Sequence, residues 1–265
     1  MKIYILADME GISGIRKVEE VALGQNHVPS EYAYGRKLMM DEINQAVAGC
    51  FDGGATEVVA CDTHGGGGQV QLGDMDERAV YETPVNGNPM PALDSSFAGL
   101  ILIGHHAMAG TADAFLEHTM SGPTIHHWKM NGQSIGEIAI EAGYAGHFNV
   151  PLIMVSGDAA VCAEAKAFFG DIETACVKWG ISRHRARCLA AKAGCKLVRQ
   201  ACRRAVERAG QGAFAPYRPA TPLTMEIEFQ RNDYADATAN NPAFERTGGR
   251  TIRWTAHDLR QMRIA

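Results

Sequence analysis

Paired cysteines are missing from this chain. Its seven cysteines (Cys50, Cys61, Cys162, Cys176, Cys188, Cys195 and Cys202) are odd in number and show no Cys-x-x-Cys spacing, which argues against both a disulfide framework and a thiolate zinc site. No apolar run reaches the roughly 18 residues of a membrane-spanning helix. The amino terminus meets Asp8 after only a few apolar residues, too few for the core of a secretion signal, so a cytoplasmic location is expected. A positive excess is also absent. The net charge of -5 gives no support for a nucleic-acid or anionic-membrane surface. The run Gly65-Gly66-Gly67-Gly68 lacks the Lys-Ser/Thr of a phosphate-binding loop. There is no internal repeat and no low-complexity linker.

What is present is a chain of 265 residues, 46% hydrophobic and 21% charged, with 10 histidines and 29 glycines. The length suits one large domain, or a main domain with a smaller appendage. A short apolar strand opens it and runs into Asp8-Met9-Glu10-Gly11-Ile12-Ser13-Gly14. Residues two apart on extended backbone share a face, so Asp8 and Glu10 can converge on one spot. Such a pair is either solvated at a strand end or held by a cation, and hard carboxylate oxygens suit a divalent metal.

A polar, glycine-containing segment over 11–29 shows no clear period. A helix is expected over 30–50, with Ser30 as N-cap and Leu38, Met39, Ile43, Val47 and Cys50 as its apolar stripe. Residues 56–61 read as a second strand, completing a strand–helix–strand unit with a parallel pair, and lead into Asp62-Thr63-His64. Residues 99–103 read as a third, ending in Gly104-His105-His106. Three strands thus finish in metal-capable side chains at their carboxyl ends, the edge where open α/β sheets bind ligands.

Residues 107–132 are irregular and carry His118, His126 and His127. Glu137 opens a helix over 138–148, a strand follows over 152–156, and Asp158 is the expected N-cap of an alanine-rich helix. A short strand over 174–177 precedes a basic helix over 189–208, whose charges read as a solvated face. Beyond the prolines of 216–222, residues 223–229 alternate with period two as a strand with one polar face. A short helix over 233–240 and a strand over 250–254 follow. The expected fold is three-layer α/β/α with a largely parallel or mixed sheet over 1–215. A smaller β-rich portion over 216–265 would form a subdomain or an assembly surface.

Asp8, Glu10, His64, His106 and Glu137 make three carboxylates and two imidazoles. That set suits two zinc ions sharing a bridging carboxylate, since zinc takes nitrogen and oxygen ligands at about four positions. A pair of metals can hold a water between them and polarise a carbonyl, which implies hydrolysis of an amide, an ester or a phosphoester. Asp62 is a candidate to orient a ligand imidazole. Cys61, ending an apolar strand, reads as a small buried hydrophobe. His105 points away from His106 on an extended backbone and should pack or line the site. His126 and His127 read as structural.

The run Asp8-Met9-Glu10-Gly11-Ile12-Ser13-Gly14, with Asp62-Thr63-His64, Gly104-His105-His106-Ala107, Glu117-His118-Thr119 and Gly136-Glu137, closely resembles the D-aminopeptidase family, metallopeptidase family M55. The likeness continues through Gly157-Asp158, Val177-Lys178, Ile181-Ser182-Arg183 and Glu226-Ile227-Glu228-Phe229, so it spans nearly the whole chain in order. It implies two Zn2+ ions per chain bridged by Asp8, with Glu10 and His106 completing one site and His64 and Glu137 the other. His118 falls where the family has its proposed catalytic histidine, and its chemistry suits a general acid or base near neutral pH. The resemblance further implies an aminopeptidase acting on small peptides or aminoacyl amides with a D-amino acid at the amino end. It also implies a homo-oligomeric ring, such as a decamer; from the charge and the lack of long apolar runs, no nucleic-acid or membrane partner is expected. A zinc amidohydrolase acting on a non-peptide amide, or a peptide-binding protein without catalysis, are the alternatives. Gly65–Gly68, His105 and residues 121–129 are the departures that put substrate choice most in doubt.

Overall fold

The computed structural model describes residues 1–85 and 88–262. Its first strand, β1 (Lys2–Ala7), is apolar after Lys2 because both of its faces are buried. Ile3, Ile5 and Ala7 enter one core, and Tyr4 and Leu6 enter another on the opposite side, as expected of a central parallel strand. The helix α1 (Pro29–Asp52) then leads to β2 (Glu57–Asp62), β3 (Val80–Glu82) and β4 (Phe97–His105). β5 (Ile125–Met130) and β6 (Gln133–Ser134) precede α2 (Glu137–His147), β7 (Leu152–Asp158), α3 (Ala159–Phe169), the hairpin β8 (Glu173–Ser182) and β9 (Arg185–Cys188), and α4 (Ala191–Ala209). The remainder holds β10 (Leu223–Phe229), α5 (Asn232–Ala239), β11 (Glu245–Arg246) and β12 (Thr251–Ala256). No helix among the described residues is long and apolar enough to cross a membrane.

Seven strands form one sheet in the order β3-β2-β1-β4-β7-β8-β9, parallel except for β9. Residues of α1 and α4 pack in the core on one face, and residues of α2 and α3 in the core on the other. The expected α/β architecture is therefore the observed one. β1 lies between β2 and β4 with Ala7 level with both Asp62 and Ile103. The strand order reverses about β1, with β2 reached on one side and β4 on the other, the kind of position whose carboxyl end opens a crevice. Asp8, His64 and His106 lie within three residues of that line.

Five antiparallel strands form a second sheet, β11-β12-β10-β5-β6. Leu223, Met225, Ile227 and Phe229 alternate inward along β10, as their period requires. Its neighbour β5 comes from the middle of the chain, inside the 107–132 stretch that reads as irregular in sequence, so this sheet crosses the expected division at residue 215. α2 is buried from Glu137 to Gly146 because it is sandwiched. Ile138, Ala142 and Ala145 meet the main sheet, whereas Ala139 and Ile140 meet the second.

Smaller expectations shift. The cap of α1 is Val28, with Pro29 in the first turn, so Ser30 is not the N-cap. Asp158 does cap α3, its Oδ1 accepting the Val161 N–H at 2.8 Å. The strand expected over 174–177 is the centre of the ten-residue β8. The arginines of α4 pair with Asp52, Asp171, Glu173 and Glu207 at its surface.

Candidate metal centre

The loop after β1 is drawn tightly against the end of β4. Asp8 N–H donates to Ile103 O at 2.9 Å and Gly11 N–H to Gly104 O at 2.7 Å. A Cβ on Gly11 would fall 2.1 Å from the His105 carbonyl oxygen, so only glycine permits this approach. From behind, the buried Lys178 of β8 donates through Nζ to Glu10 O at 2.6 Å and Ile15 O at 2.7 Å. Glu42 of α1 takes the Ser13 N–H at 2.7 Å and the Ser156 hydroxyl at 3.1 Å. The role of neither residue is legible in the sequence: the signals are a charge placed in an otherwise apolar stripe and, for Lys178, the family resemblance at Val177-Lys178.

This scaffold brings all five predicted ligands together. Asp8 lies in the middle. Its Oδ1 is 3.1 Å from His64 Nδ1 and its Oδ2 is 3.3 Å from His106 Nε2. Glu10 Oε2 is 3.1 Å from His64 Nδ1, and Glu137 Oε1 is 3.3 Å from His106 Nε2. The groups are therefore Asp8-Glu10-His64 and His106-His118-Glu137, each with its donor atoms within 4.8 Å of one another. His64 stands with Glu10, and His106 with Glu137, the reverse of the division the resemblance implies. His118 lies in the second group, its ring stacked on His106 with centroids 3.9 Å apart and its Nε2 3.7 Å from Glu137 Oε1.

The hydrogen bonds behind the rings test whether metal fits. His64 Nε2 contacts Val21 O at 2.7 Å, His106 Nδ1 contacts Ala107 O at 3.0 Å and His118 Nδ1 contacts Leu116 O at 2.9 Å. A carbonyl can only accept, so each ring carries its proton on that side and turns a lone pair toward the carboxylates. Lone pairs facing carboxylate oxygens repel unless a cation separates them. His106 Nε2 is buried without a hydrogen-bond partner, as a ligand atom would be. Where protons alone can supply the positive charge, the titration shows the same demand. Burial opposes charge on His64 and His106, yet the neighbouring Glu10, Asp8 and Glu137 carboxylates hold both well above the ordinary histidine range. Burial likewise opposes charge on Asp8 and Glu137, and the imidazoles outweigh it, holding Asp8 well below the carboxylate range and Glu137 at about 2. Oxygen and imidazole donors in two groups with one carboxylate between them are a zinc-compatible set.

The other candidates separate from the centre. Asp62 does not orient His64. Its Oδ2 takes the N–H groups of Gly68 and Gln69 at 3.2 and 3.1 Å and the Tyr81 hydroxyl at 2.6 Å, folding the glycine run back over the end of β2. His105 is fully buried against Glu141 of α2 at 2.7 Å, so it packs as expected. Cys61 is buried, and burial pushes its thiol up to about 12, consistent with a small hydrophobe. His126 and His127 lean on each other along β5, outside the two groups.

A cleft of about 570 Å3 opens over the centre. On the His64 side it is lined by Val18, Val21, Leu23 and Gly65, and on the His118 side by Met120, Gly122, Ile125 and Arg183. Trp128 also lines it, with an indole N–H that has no hydrogen-bond partner among the described residues. Aromatic and arginine residues so far from Asp8 in sequence give no local signal of belonging to the site.

Comparison with known proteins identifies the family. The family model described as D-aminopeptidase matches residues 1–264. The D-aminopeptidase of Bacillus subtilis (strain 168) is 31% identical over 266 residues, covering 98% of this chain and 93% of that protein. The solved structure of the Zn-dependent D-aminopeptidase DppA from Bacillus subtilis, a self-compartmentalizing protease, superposes with a TM-score of 0.89 at 29% identity, covering 99% of this chain and 94% of that one. With nearly its whole length matched by the family model and by a relative, this chain belongs to the D-aminopeptidase family of metallopeptidases, M55.

Proposed function

We propose that this protein is a zinc-dependent aminopeptidase that hydrolyses the amide bond of small peptides or aminoacyl amides bearing an amino-terminal D-residue. The observation that carries the reading is the set of three backbone-tethered imidazoles whose lone pairs face Asp8, Glu10 and Glu137. Asp8, Glu10 and His64 would hold one zinc ion, and Asp8, His106 and Glu137 the other. Bound there, the ions would supply Lewis acidity to the scissile carbonyl and lower the pKa of the attacking water. The chain's own residues do the rest. His118 keeps its Nδ1 proton on Leu116 O and presents Nε2 to the cleft, where it takes a proton from the water and returns it to the leaving nitrogen. The leaving half then lies on the His118 side, and the amino-terminal residue toward Val21, Leu23 and Gly65. The D-preference rests on the family and on the named relative. The same relative is a self-compartmentalizing protease, and we propose a homo-oligomer here as well. Val80, 58% exposed on the edge strand β3, and Leu72, 66% exposed, are apolar surfaces such an assembly would cover.

The test is turnover of paired D- and L-aminoacyl amides and dipeptides by zinc-loaded protein. Cleavage of the D-series, with His118→Ala slower by roughly 10²–10⁴ in kcat at unchanged zinc content, is the expected result. Tight binding without cleavage of any peptide would instead identify a binding protein.

A further inference from the structure

A second cleft of about 330 Å3, lined by Ala109, Glu117, His126 and Gln230, adjoins the first. His118, Gly122, Ile125 and Arg183 line both, so the two form one groove with the proposed proton-transfer residue at its neck. Arg183 sits in the two-residue turn between β8 and β9, and that turn is pinned to the segment carrying His118. Leu116 N–H donates to Arg183 O at 2.8 Å. A Cβ on Gly180 would lie 2.2 Å from the Asp113 carbonyl oxygen, a measure of how closely the two segments run.

The guanidinium is only partly used. Nη1 donates to the Glu117 carbonyl and carboxylate, and among the described residues Nε and Nη2 make no hydrogen bond. Nη2 lies 3.1 Å from where a Gly122 Cβ would stand, and that same point is 3.6 Å from His118 Cβ. His118 Cβ and Arg183 Nη2 therefore stand within about 7 Å of each other with no side chain at Gly122 between them, a span on the order of one to two residues of extended chain. A planar guanidinium held by one edge, with its other donors turned to a groove, suits a carboxylate.

We propose that Arg183 anchors the free carboxylate of the leaving residue, so that the enzyme acts on very short peptides with an open carboxyl end, dipeptides above all. This inference rests on the aminopeptidase reading, because His118 places the leaving half. The step itself is unchanged: the amide C–N bond breaks, water supplies OH to the acyl carbon and H to the nitrogen, and Arg183 only holds the departing amino acid.

The experiment compares three substrates of one amino-terminal residue: the glycine dipeptide, that dipeptide's carboxamide, and the p-nitroanilide. Wild type should show kcat/KM on the free acid roughly tenfold or more above the carboxamide, the size of a charge-assisted hydrogen bond. Arg183→Met should bring that ratio close to one and leave the p-nitroanilide within about threefold, while Arg183→Lys retains part of the ratio. Calorimetry with an uncleavable reduced-bond dipeptide, as acid and as carboxamide, should show the same preference in Kd. Equal wild-type turnover of acid and carboxamide would overturn the inference and leave the peptidase reading standing. Uniform slowing of all three substrates by Arg183→Met would also overturn it, marking a brace for His118. Failure of wild type to cleave any of them would remove both.

Discussion

Each carboxylate oxygen of Asp8 faces a different imidazole, whereas Glu10 meets only His64. Asp8→Ala should therefore lose both zinc equivalents, and Glu10→Ala about one, as counted by elemental analysis after dialysis; equal losses would reject a shared Asp8. Near the centre, Glu164 of α3 takes the Met108 N–H at 2.8 Å with one oxygen and leaves the other buried and unpaired. Burial raises its carboxyl to about 7 from 4.5. Between those values the folded protein keeps a proton that the unfolded chain has released, so this group's contribution to stability falls as pH rises from about 4.5 through 7. Glu164→Gln keeps the acceptor for Met108 and removes the titration. Its Tm relative to wild type should climb between about pH 5 and pH 8, and a constant offset would contradict the assignment.

At the scale of elements, what matters is how loops are held against strand ends. Gly11→Ala pushes a Cβ into the His105 carbonyl, which is backbone and cannot swing aside. A loss of roughly 1–3 kcal/mol is expected, with lower zinc retention because Asp8 and Glu10 share that loop; unchanged Tm and metal content would show that the loop relaxes. These elements also divide what the sequence reveals from what it hides. His64, His106 and the Asp8–Glu10 pair are legible because each ends an apolar strand, and the period of a strand and its place in a parallel sheet are local facts. The β5 strand is not, because Ile125-His126-His127-Trp128 has two polar residues side by side and becomes a strand only by pairing with β10 nearly a hundred residues away. Lys178 and Arg183 fall in runs that match the family, but what they hold is hidden for the same reason. Their partners Glu10, Ile15 and Glu117 are distant in the chain. Asp62 misleads in the opposite way: its neighbour His64 invites a pairing, and the glycine loop takes its Oδ2 instead.

Over the whole molecule, residues 216–262 cover α2 rather than hang from it. Leu223, Met225, Ile227, Ile252 and Trp254 close over Ile135, Ala139 and Ile140. A chain ending at residue 215 would strip that cover from the helix that presents Glu137, and would leave β5 without β10. Such a fragment should aggregate or bind dye as a loosely packed state, and a soluble, zinc-binding fragment would show that the main sheet stands alone. The helix between the sheets thus makes the protein indivisible for an engineer. It offers no detachable module to graft or trim, and new loops would have to enter at the exposed turns rather than by swapping one half for another.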